Sequence, residues 1–291
     1  MIENESAWEL SSIQTQDHKT LKSSDTCVIL HLYYPEMWEE IRSYLSHLGG
    51  QFDLYVTIPY EVDISETTLK AEIPNARIYR CENRGRDIAP FLRVFSAISE
   101  LNYKYICKIH TKKSVHIGAG KEWQQDMMDK LLGSPETIAN IKQAFDTHTT
   151  WGLIGPQGHV VPHIYYWAQN SEKVLHLAHS IDIPTDNIEF SYVAGSMFWF
   201  RPQALNLLLN PNILTQSFEP EQGQQDGTLA HAFERFFGMV SNYAGYKIAE
   251  SDSREVKIID QFSFHFGLLA QEFEKQVQAV QTQVQVVQTQ V

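Results

Sequence analysis

Apolar runs and segments of helical spacing alternate along the first half of the chain. Residues 26–34 are almost continuously hydrophobic, which predicts a central parallel strand covered on both faces. Three further runs are typical of strands: residues 52–59, 77–81 and 105–109. Between the strands, apolar spacing predicts helices over residues 37–48 and 88–101, while residues 61–73 fit a helix or a loop. The alternation predicts the α/β class, with a mostly parallel, doubly wound sheet flanked by helices.

Shorter elements continue this alternation in the second half. The predicted helices cover residues 123–132, 135–146, 202–209 and 227–237. The sequence also predicts that Gly238 ends the last of these helices and that residues 152–156 form a short strand. Residues 190–201 have the composition of a strand but are interrupted by Gly195 and Ser196. A glycine inside a strand favours close approach of the backbone to a ligand.

Residues 266–291 follow a third pattern, in which apolar residues are spaced alternately by four and by three. This apolar seam consists of Phe266, Ala270, Phe273, Val277, Val280, Val284, Val287 and Val291. The spacing predicts a coiled-coil helix that joins copies of the chain into a homo-oligomer, although alternating Gln and Val also fits a strand or a disordered tail. The sequence thus divides into a polar leader (residues 1–25), a globular domain (26–265) and a coiled coil (266–291).

Composition narrows the class of protein. With 43% hydrophobic residues, the chain can bury a substantial core, which excludes a globally disordered protein. Cys27, Cys81 and Cys107 lie in apolar runs without metal-ligand spacing, so we expect reduced core residues. No apolar run approaches the roughly 20 residues that cross a bilayer, and the N-terminus lacks a signal-peptide pattern. We therefore expect a cytoplasmic protein, with peripheral contact at the inner face of the membrane left open.

Charge is distributed unevenly along the chain. Residues 77–121 hold 10 of the 23 basic residues but only three acids, in a chain whose formal charge is −12. A basic island in an acidic protein indicates a site for a small anion and argues against a nucleic-acid partner. The island contains two polar loops, each placed directly after a predicted strand, which is where ligands bind in open α/β sheets. The two loops therefore predict a phosphate site.

The first loop supplies five candidate donor-binding residues: Asn83, Arg84, Gly85, Arg86 and Asp87. Glycine permits a tight turn, and the forked donors of arginine suit phosphate oxygens. Asp87 can accept hydrogen bonds from a ribose or a base, hold an arginine in place, or act as the N-cap of the next helix. The alternative is an internal Arg–Asp salt bridge that only shapes the loop.

The second loop supplies Lys108, His110, Lys112 and Lys113. Lysine and protonated histidine place positive charge where a leaving diphosphate develops negative charge. Lys108 alternates with apolar neighbours, so we expect its side chain to emerge at the end of the strand. The alternative is a solvated basic turn. No cluster of carboxylates and histidines has convincing metal-ligand spacing, so we predict no metal and no other cofactor, with a divalent ion left open.

Four segments carry a resemblance to a known family. NRGRDIAPFL, KIHTKKS, AGSMFWFRPQAL and QQDGTLAHAFER resemble, in this order, the rhamnan synthesis protein F family of polysaccharide-assembly proteins. The front half also resembles GT-A glycosyltransferases, which implies a GT-A-like (Rossmann-like) sheet. In GT-A enzymes a D-x-D motif holds a divalent metal, whereas the matching position here is His110-Thr111-Lys112. That departure from the pattern implies metal-independent chemistry.

The resemblance also implies roles for residues in the second half. In GT-A enzymes the catalytic base precedes a helix, and the matching position makes Asp226 the base, with Glu221 as the fallback. The alternative role of Asp226 is to cap that helix. The acceptor-side candidates are Gly195, Ser196 and Trp199 on the interrupted strand, with Tyr165, Tyr166 and Trp167 as residues for stacking on sugar rings. Core packing is the alternative role of each aromatic residue.

Three functions fit these observations. The leading one is an inverting glycosyltransferase that moves a sugar, such as rhamnose or another deoxyhexose, from a nucleotide-diphosphate sugar to a growing bacterial cell-surface polysaccharide, its glycan acceptor. The second is a non-catalytic GT-A-like module that binds a nucleotide sugar or a glycan and positions a partner glycosyltransferase. The third is a structural subunit whose coiled coil sets the size of an assembly.

Overall fold

The computed structural model describes residues 22–113, 120–163, 167–186, 189–253 and 255. The predicted leader lies almost wholly outside these residues, and the predicted coiled coil lies entirely outside them, as do Tyr165 and Tyr166. Within the described ranges, no helix combines the length and the apolar character that crossing a membrane requires.

One sheet contains most of the strands in the described part of the chain: β1 (Thr26–His31), β2 (Asp53–Pro59), β3 (Ala76–Cys81), β4 (Tyr105–His110), β5 (Trp151–Gly155), β8 (Phe198–Phe200) and β9 (Lys247–Glu250). Two short strands, β6 (Val160–Pro162) and β7 (Ser191–Val193), pair with each other separately. The strand order of the large sheet is β3-β2-β1-β4-β8-β5-β9, and β8 runs antiparallel to both of its neighbours. This arrangement confirms the predicted α/β class with a mostly parallel sheet.

The first two strands lie between other strands of the sheet and are covered on both faces. Every residue of β1 and of β2 is buried, as this position requires. The chain runs from β1 outward to β2 and β3 and then returns to place β4 on the other side of β1. The boundary between β1 and β4 is therefore a switch point of the strand order. Ligands of open α/β sheets bind beyond the carboxyl ends of the strands at such a point.

Helices cover both faces of the sheet. The described α-helices are α1 (Trp38–Ser46), α2 (Glu66–Glu72), α3 (Ile88–Ile98), α4 (Gly120–Leu132), α5 (Pro135–Thr147), α6 (Ser171–Ser180) and α7 (Leu229–Tyr243). Helices α3, α6 and α7 pack on one face, where the ring of Phe91 lies 5.7 Å from that of Phe200 and 5.5 Å from that of Phe237. Helices α1, α4 and α5 cover the opposite face, with Met127 and Ile141 in its core.

Two predicted elements of the second half differ from the structure. Residues 190–201 are not one strand, because β7 and β8 belong to different sheets and a turn separates them. Both residues of that turn, Gly195 and Ser196, have left-handed backbones, with φ of 87° and 55°. Residues 202–209 form short 3-10 turns instead of the predicted α-helix.

Helix α7 runs past its predicted end. The sequence predicts that Gly238 stops this helix, but α7 continues to Tyr243. A Cβ at position 238 would lie 2.1 Å from the carbonyl oxygen of Ser191. The glycine therefore permits close packing of α7 against β7, and the helix tolerates it at a cost of about 1 kcal/mol.

Candidate active site at the carboxyl edge of the sheet

Buried polar side chains meet at the switch point between β1 and β4. His31 and His110 are the last residues of these two strands and are register partners. Asp87 directly precedes α3, and Ser196 precedes β8, which is antiparallel and so begins at the same edge. With Lys108 of β4, these residues form what we call the edge cluster. It lies where the sequence predicts a ligand site.

The Lys108 ammonium lies inside the edge cluster. Lys108 is only 1% exposed, and its Nζ donates to Asp87, to the Ser196 carbonyl oxygen at 2.7 Å and to Ser196 Oγ at 3.1 Å. These partners use all the protons of an ammonium group. The expectation that this side chain emerges at the end of the strand is therefore wrong. It turns toward the face covered by α3, where the Phe91 ring centroid is 5.4 Å from Nζ. Lys108 ties three segments together and has no proton left for a ligand.

Burial determines the charges of the edge cluster. It lowers the pKa of His110 to about 3 and that of His31 to about 4, although Asp87 acts in the opposite direction. Burial alone would raise the pKa of Asp87, but the adjacent His110 and Lys108 bring it well below its usual range. At neutral pH the cluster thus contains the Lys108–Asp87 ion pair and two uncharged imidazoles.

The ring nitrogens of the edge cluster are mostly enclosed by protein. His31 Nδ1 is hydrogen-bonded to Thr57 Oγ1 at 3.0 Å. His110 Nδ1 is buried, has no hydrogen-bond partner among the described residues and lies 3.4 Å from Asp87 Oδ2. Across the described ranges, no group of three or more His, Cys, Asp or Glu side chains is arranged to hold a metal ion. Metal-independent chemistry stays a prediction.

The first polar loop, residues 83–87, is docked onto an acidic segment, residues 219–226. Gly85 N donates to the Glu219 carbonyl oxygen at 3.2 Å, and Glu221 N donates to the Asn83 carbonyl oxygen at 3.1 Å. We call this pair of segments the loop ladder. Gly85 has a φ of 65°, and a Cβ there would lie 2.6 Å from the Phe218 ring. The glycine is therefore needed for the turn and for the close approach.

The arginines of the first loop bind the acidic segment and its surroundings. Arg84 donates to the carbonyl oxygen of Phe218, directly before that segment, at 2.6 Å. Arg86 has a left-handed backbone, with a φ of 54°, and donates to Glu221 Oε2 at 2.8 Å and to His231 Nε2 at 3.0 Å. The internal Arg–Asp salt bridge weighed as an alternative does not form among the described residues, because Arg86 pairs with Glu221 and Asp87 pairs with Lys108.

His231 joins the first loop to the start of α7. Its Nε2 lies 3.0 Å from Arg86 Nη1, the nitrogen of a side chain that can only donate. On the other side of the ring, Nδ1 lies 2.7 Å from Thr228 Oγ1 and 3.3 Å from the backbone nitrogen of Thr228. Burial and the adjacent Arg86 both lower the pKa of His231. His231 is therefore a neutral brace between the first loop and α7.

Both predicted bases are engaged within the protein. Asp226 accepts from Asn170 Nδ2 at 2.8 Å and from the Gln169 amide at 3.3 Å. Burial alone would raise the pKa of Asp226, but these hydrogen bonds lower it. Asp226 is not the cap of α7, because the N-cap residue is Thr228. Glu221, the other candidate base, forms an ion pair with Arg86 of the first loop.

Lys112 is a cation of different character. Its Nζ lies 4.2 Å from the centroid of the Trp123 ring, and within the described ranges it has neither a hydrogen-bond acceptor nor an ion-pair partner. Burial lowers the pKa of Lys112, while the nearby carboxylates of Glu234 and Asp87 act in the opposite direction. A half-buried cation without a direct counter-ion favours an anionic ligand. Lys113, by contrast, forms a surface ion pair.

The Gly195-Ser196 turn brings an acid into the same region. Gly195 N donates to Glu234 Oε1 at 3.1 Å, and Ser196 binds the buried lysine of the edge cluster. Trp199 does not reach this region. Its side chain is fully buried on the opposite face of the sheet, and Nε1 donates to the Leu131 carbonyl oxygen at 3.0 Å. The structure thus corrects the expected acceptor-side position of Trp199.

Three further residues, His31, Trp123 and Glu234, lie at this edge or beside it. His31 carries a usable signal, because it is an ionisable residue inside an otherwise apolar run. Trp123 and Glu234 lie within helices, and only tertiary packing brings them to Lys112. No local pattern distinguishes them from other helical residues.

Comparison with known proteins gives a family match over most of the chain. The family model described as rhamnan synthesis protein F matches residues 5–246. Two curated relatives, both described as uncharacterized protein WxcX, come from two strains of Xanthomonas campestris pv. campestris and are 33% identical over 228 residues. The alignments cover 78% of this chain but only 32% of each relative, so the chain spans about a third of their length.

One solved structure resembles this chain at low similarity. It is the crystal structure of a protein from Desulfovibrio desulfuricans G20 provisionally described as a nucleotide-diphospho-sugar transferase. The match covers 78% of this chain and 79% of that chain, with 12% identity and a TM-score of 0.34. A likeness of this size supports no conclusion about the site.

Proposed function

The chain belongs to the rhamnan synthesis protein F family, and we propose that it acts as a nucleotide-sugar-dependent glycosyltransferase in bacterial surface polysaccharide synthesis. The donor is a nucleotide-diphosphate sugar, with rhamnose or another deoxyhexose as the sugar, and the acceptor is the growing glycan. The family supports the link to polysaccharide synthesis. The switch point between β1 and β4 supports a ligand site at the edge of the sheet where the strands end and the basic loops begin.

The observation that carries this proposal is the Lys112 ammonium. Transfer of a sugar from its nucleotide releases a nucleoside diphosphate, so negative charge develops on the leaving group. Lys112 follows the end of β4 closely and has no direct counter-ion in the described part of the chain. A lysine that is already neutralised, as Lys108 is, could not serve in this way. Lys112 therefore supports a metal-independent transfer.

An inverting transfer also needs a base. The acceptor oxygen bonds to the anomeric carbon, the bond to the diphosphate breaks, and a carboxylate takes the hydroxyl proton. Asp226 and Glu221 are the acids that the family resemblance places in this role. Glu234 is a further candidate, because one of its oxygens accepts from Gly195 N while the other has no hydrogen-bond partner among the described residues. Glu234 is also close enough to Lys112 to influence its charge.

The identity of the base is tested by comparing Asp226→Asn, Glu221→Gln and Glu234→Gln. The variant that removes the base should lose at least about 100-fold in turnover while its affinity for the donor stays within a few-fold of the wild type. A variant that loses turnover and donor affinity together has instead lost part of the structure of the site.

Donor binding is tested by calorimetric titration of UDP, GDP and dTDP into the full chain, with and without EDTA. We expect one of these nucleotides to bind in the presence of EDTA and Lys112→Ala to weaken that binding about tenfold or more. Lys70→Ala, which changes an exposed lysine on α2, is the matched control and should bind as the wild type does. Binding that requires added Mg²⁺ or Mn²⁺ would refute metal independence, and no binding in either condition would refute the transferase.

A second function is favoured by the state of the two predicted bases. Asp226 accepts two hydrogen bonds and has a lowered pKa, and Glu221 is paired with Arg86. A non-catalytic module that binds a nucleotide sugar or a glycan and positions a partner glycosyltransferase needs no free base. Nucleotide binding without release of nucleoside diphosphate from any sugar donor, even when acceptor glycan is present, would support this module over the transferase.

A further inference from the structure

Three side chains beside Lys112 form a hydrogen-bonded relay. Trp123 Nε1 donates to His159 Nδ1 at 3.1 Å, and His159 Nε2 lies 2.8 Å from Asp126 Oδ2. An indole N–H can only donate, so His159 Nδ1 must accept and the imidazole proton must be on Nε2, facing the Asp126 carboxylate. The hydrogen bonds to Trp123 and to Asp126 therefore require the same tautomer of His159. His159 is fully buried, whereas the Asp126 side chain is 25% exposed.

The relay holds the Trp123 ring in one orientation. Trp123 and Asp126 are three residues apart on α4 and so lie on one side of that helix, while His159 comes from the loop before β6. The planes of the Trp123 and His159 rings are within 15° of each other, and their centroids are 6.2 Å apart. With a hydrogen bond joining the ring edges, this geometry places His159 beside the indole and leaves a broad indole face for another group.

That group is Lys112. Its Nζ lies 4.2 Å from the centroid of the Trp123 ring, well within the distance at which a cation is attracted by an aromatic face. A carboxylate partner would also hold the lysine but would neutralise its charge. An indole attracts the ammonium without neutralising it, and it restricts a side chain that otherwise has considerable rotamer freedom. A lysine held in this way stays available to an anion.

We propose that Asp126, His159 and Trp123 are positioning residues, which hold Lys112 uncompensated for the phosphate groups of an anionic ligand. The inference rests on the proposed nucleotide binding for its ligand and on the relay for its mechanism. None of the three residues needs to contact the ligand. Trp123 acts through Lys112, His159 fixes Trp123, and Asp126 fixes His159.

The competing explanation is that Trp123 only packs the core. A Cβ built at Gly195 would lie 3.7 Å from the Trp123 ring, so the indole also contacts the turn before β8. The two explanations differ in one respect. A packing residue affects affinity regardless of what Lys112 is, whereas a residue that acts through Lys112 has no further effect once that lysine is gone.

A double-mutant cycle separates the two explanations. Trp123→Leu, Lys112→Ala and the double variant are titrated with the nucleotide diphosphate that the wild type binds, and with its nucleoside as a probe without phosphate. We expect Trp123→Leu to weaken diphosphate binding about 5- to 10-fold, to leave nucleoside binding unchanged, and to cause no further loss in the Lys112→Ala background. Additive losses, or equal losses for diphosphate and nucleoside, would overturn the relay and leave the proposed function intact.

A measurement without ligand covers the case in which a variant folds poorly or no nucleotide binds. In protein labelled with ¹³C at the lysine ε-carbon, the Lys112 signal should be shifted by the ring current of Trp123. The shift should vanish in Trp123→Leu and change in His159→Phe, which keeps a ring but cannot accept from the indole. A Lys112 signal that coincides with those of exposed lysines in the wild type would overturn the relay. A shifted Lys112 signal together with no binding of any phosphate compound would contradict the assignment of an anionic ligand, and with it the proposed function.

Discussion

Gly85 is the residue on which the loop ladder most directly depends. The change Gly85→Ala would place a methyl group 2.6 Å from the Phe218 ring and 2.8 Å from the side chain of Ala89, on a backbone with φ of 65°. Left-handed strain and the clash act together, so we expect the free energy of unfolding to fall by about 2–4 kcal/mol, measured by urea denaturation.

Gly223→Ala is the matched control for that experiment. Gly223 has a φ of 76°, but a Cβ there would meet nothing within 4 Å. The control therefore carries the backbone strain alone, and we expect a loss of only about 1 kcal/mol. If the two variants lose the same stability, the close approach between the first loop and Phe218 does not matter energetically.

The buried histidines make the stability of the protein depend on pH. Burial depresses the pKa of His31 to about 4 and that of His110 to about 3, whereas both would titrate near 6.5 in the unfolded chain. The unfolded state therefore binds more protons between about pH 6.5 and pH 4, so stability is complete above that window and falls as the pH decreases through it. Each histidine should contribute a loss of roughly 1–2 kcal/mol between pH 7.5 and pH 5.

This dependence is measured as the free energy of unfolding in urea at several pH values. His110→Gln removes one of the two titrating groups and should make the loss between pH 7.5 and pH 5 clearly smaller. His176→Gln changes an exposed histidine on α6 and should leave the loss unchanged. An unaltered pH profile in His110→Gln would mean that His110 is charged or solvated in the folded protein.

At the scale of elements, Arg86 connects the first loop to both the acidic segment and α7. Replacing it with alanine removes these contacts but leaves the two backbone hydrogen bonds of the loop ladder. We expect Arg86→Ala to raise the hydrogen-exchange rate of the Glu221 amide, which donates to Asn83, by at least about tenfold, since its opening would then cost about 1.4 kcal/mol less. The strands of the sheet should exchange as before.

Arg42→Ala is the control for this measurement, because Arg42 forms an exposed pair with Glu39 on α1. It should leave exchange at Glu221 unchanged. If Arg86→Ala also leaves that amide protected, the remaining contacts are sufficient to hold the loop ladder. The ion pair between Arg86 and Glu221 then adds little, as exposed ion pairs often do.

Elements that are buried on both faces were the most predictable. Strands β1 and β2 are buried along their whole length and are mostly apolar, so their pattern required no knowledge of their neighbours. Gly238 was misleading, because glycine marks both helix ends and close packing, and only the position of β7 distinguishes the two. Lys108 misled for a related reason. Alternation shows which face of a strand carries a side chain. It does not show that Asp87, from another segment, lies on that face and pairs with Lys108.

At the scale of the whole molecule, the sequence predicts which edge of the sheet carries the basic loops but not which groups their cations contact. Strand order places both basic loops at one edge of the sheet, and that much follows from a doubly wound fold. The partners of the cations do not follow. Arg86 binds a residue 135 positions away, and Lys112 rests on an indole from a helix that carries no local signal. The sequence does not distinguish the charged side chains of a basic run from one another, because their counter-ions come from distant segments that only the fold brings close.

Assembly of the whole molecule is predicted by the heptad spacing, which lies outside the described residues. If the seam of residues 266–291 forms a coiled coil, Val280→Asn with Val287→Asn should dissociate the oligomer, because each places an amide in an apolar interface. Gln278→Asn with Gln285→Asn makes similar changes on the outer face of the same helix and should not. The molar mass of each variant and of the wild type is measured by light scattering. Equal masses for both pairs and the wild type would exclude the heptads as the oligomer interface, and the alternative of a disordered tail would then be favoured.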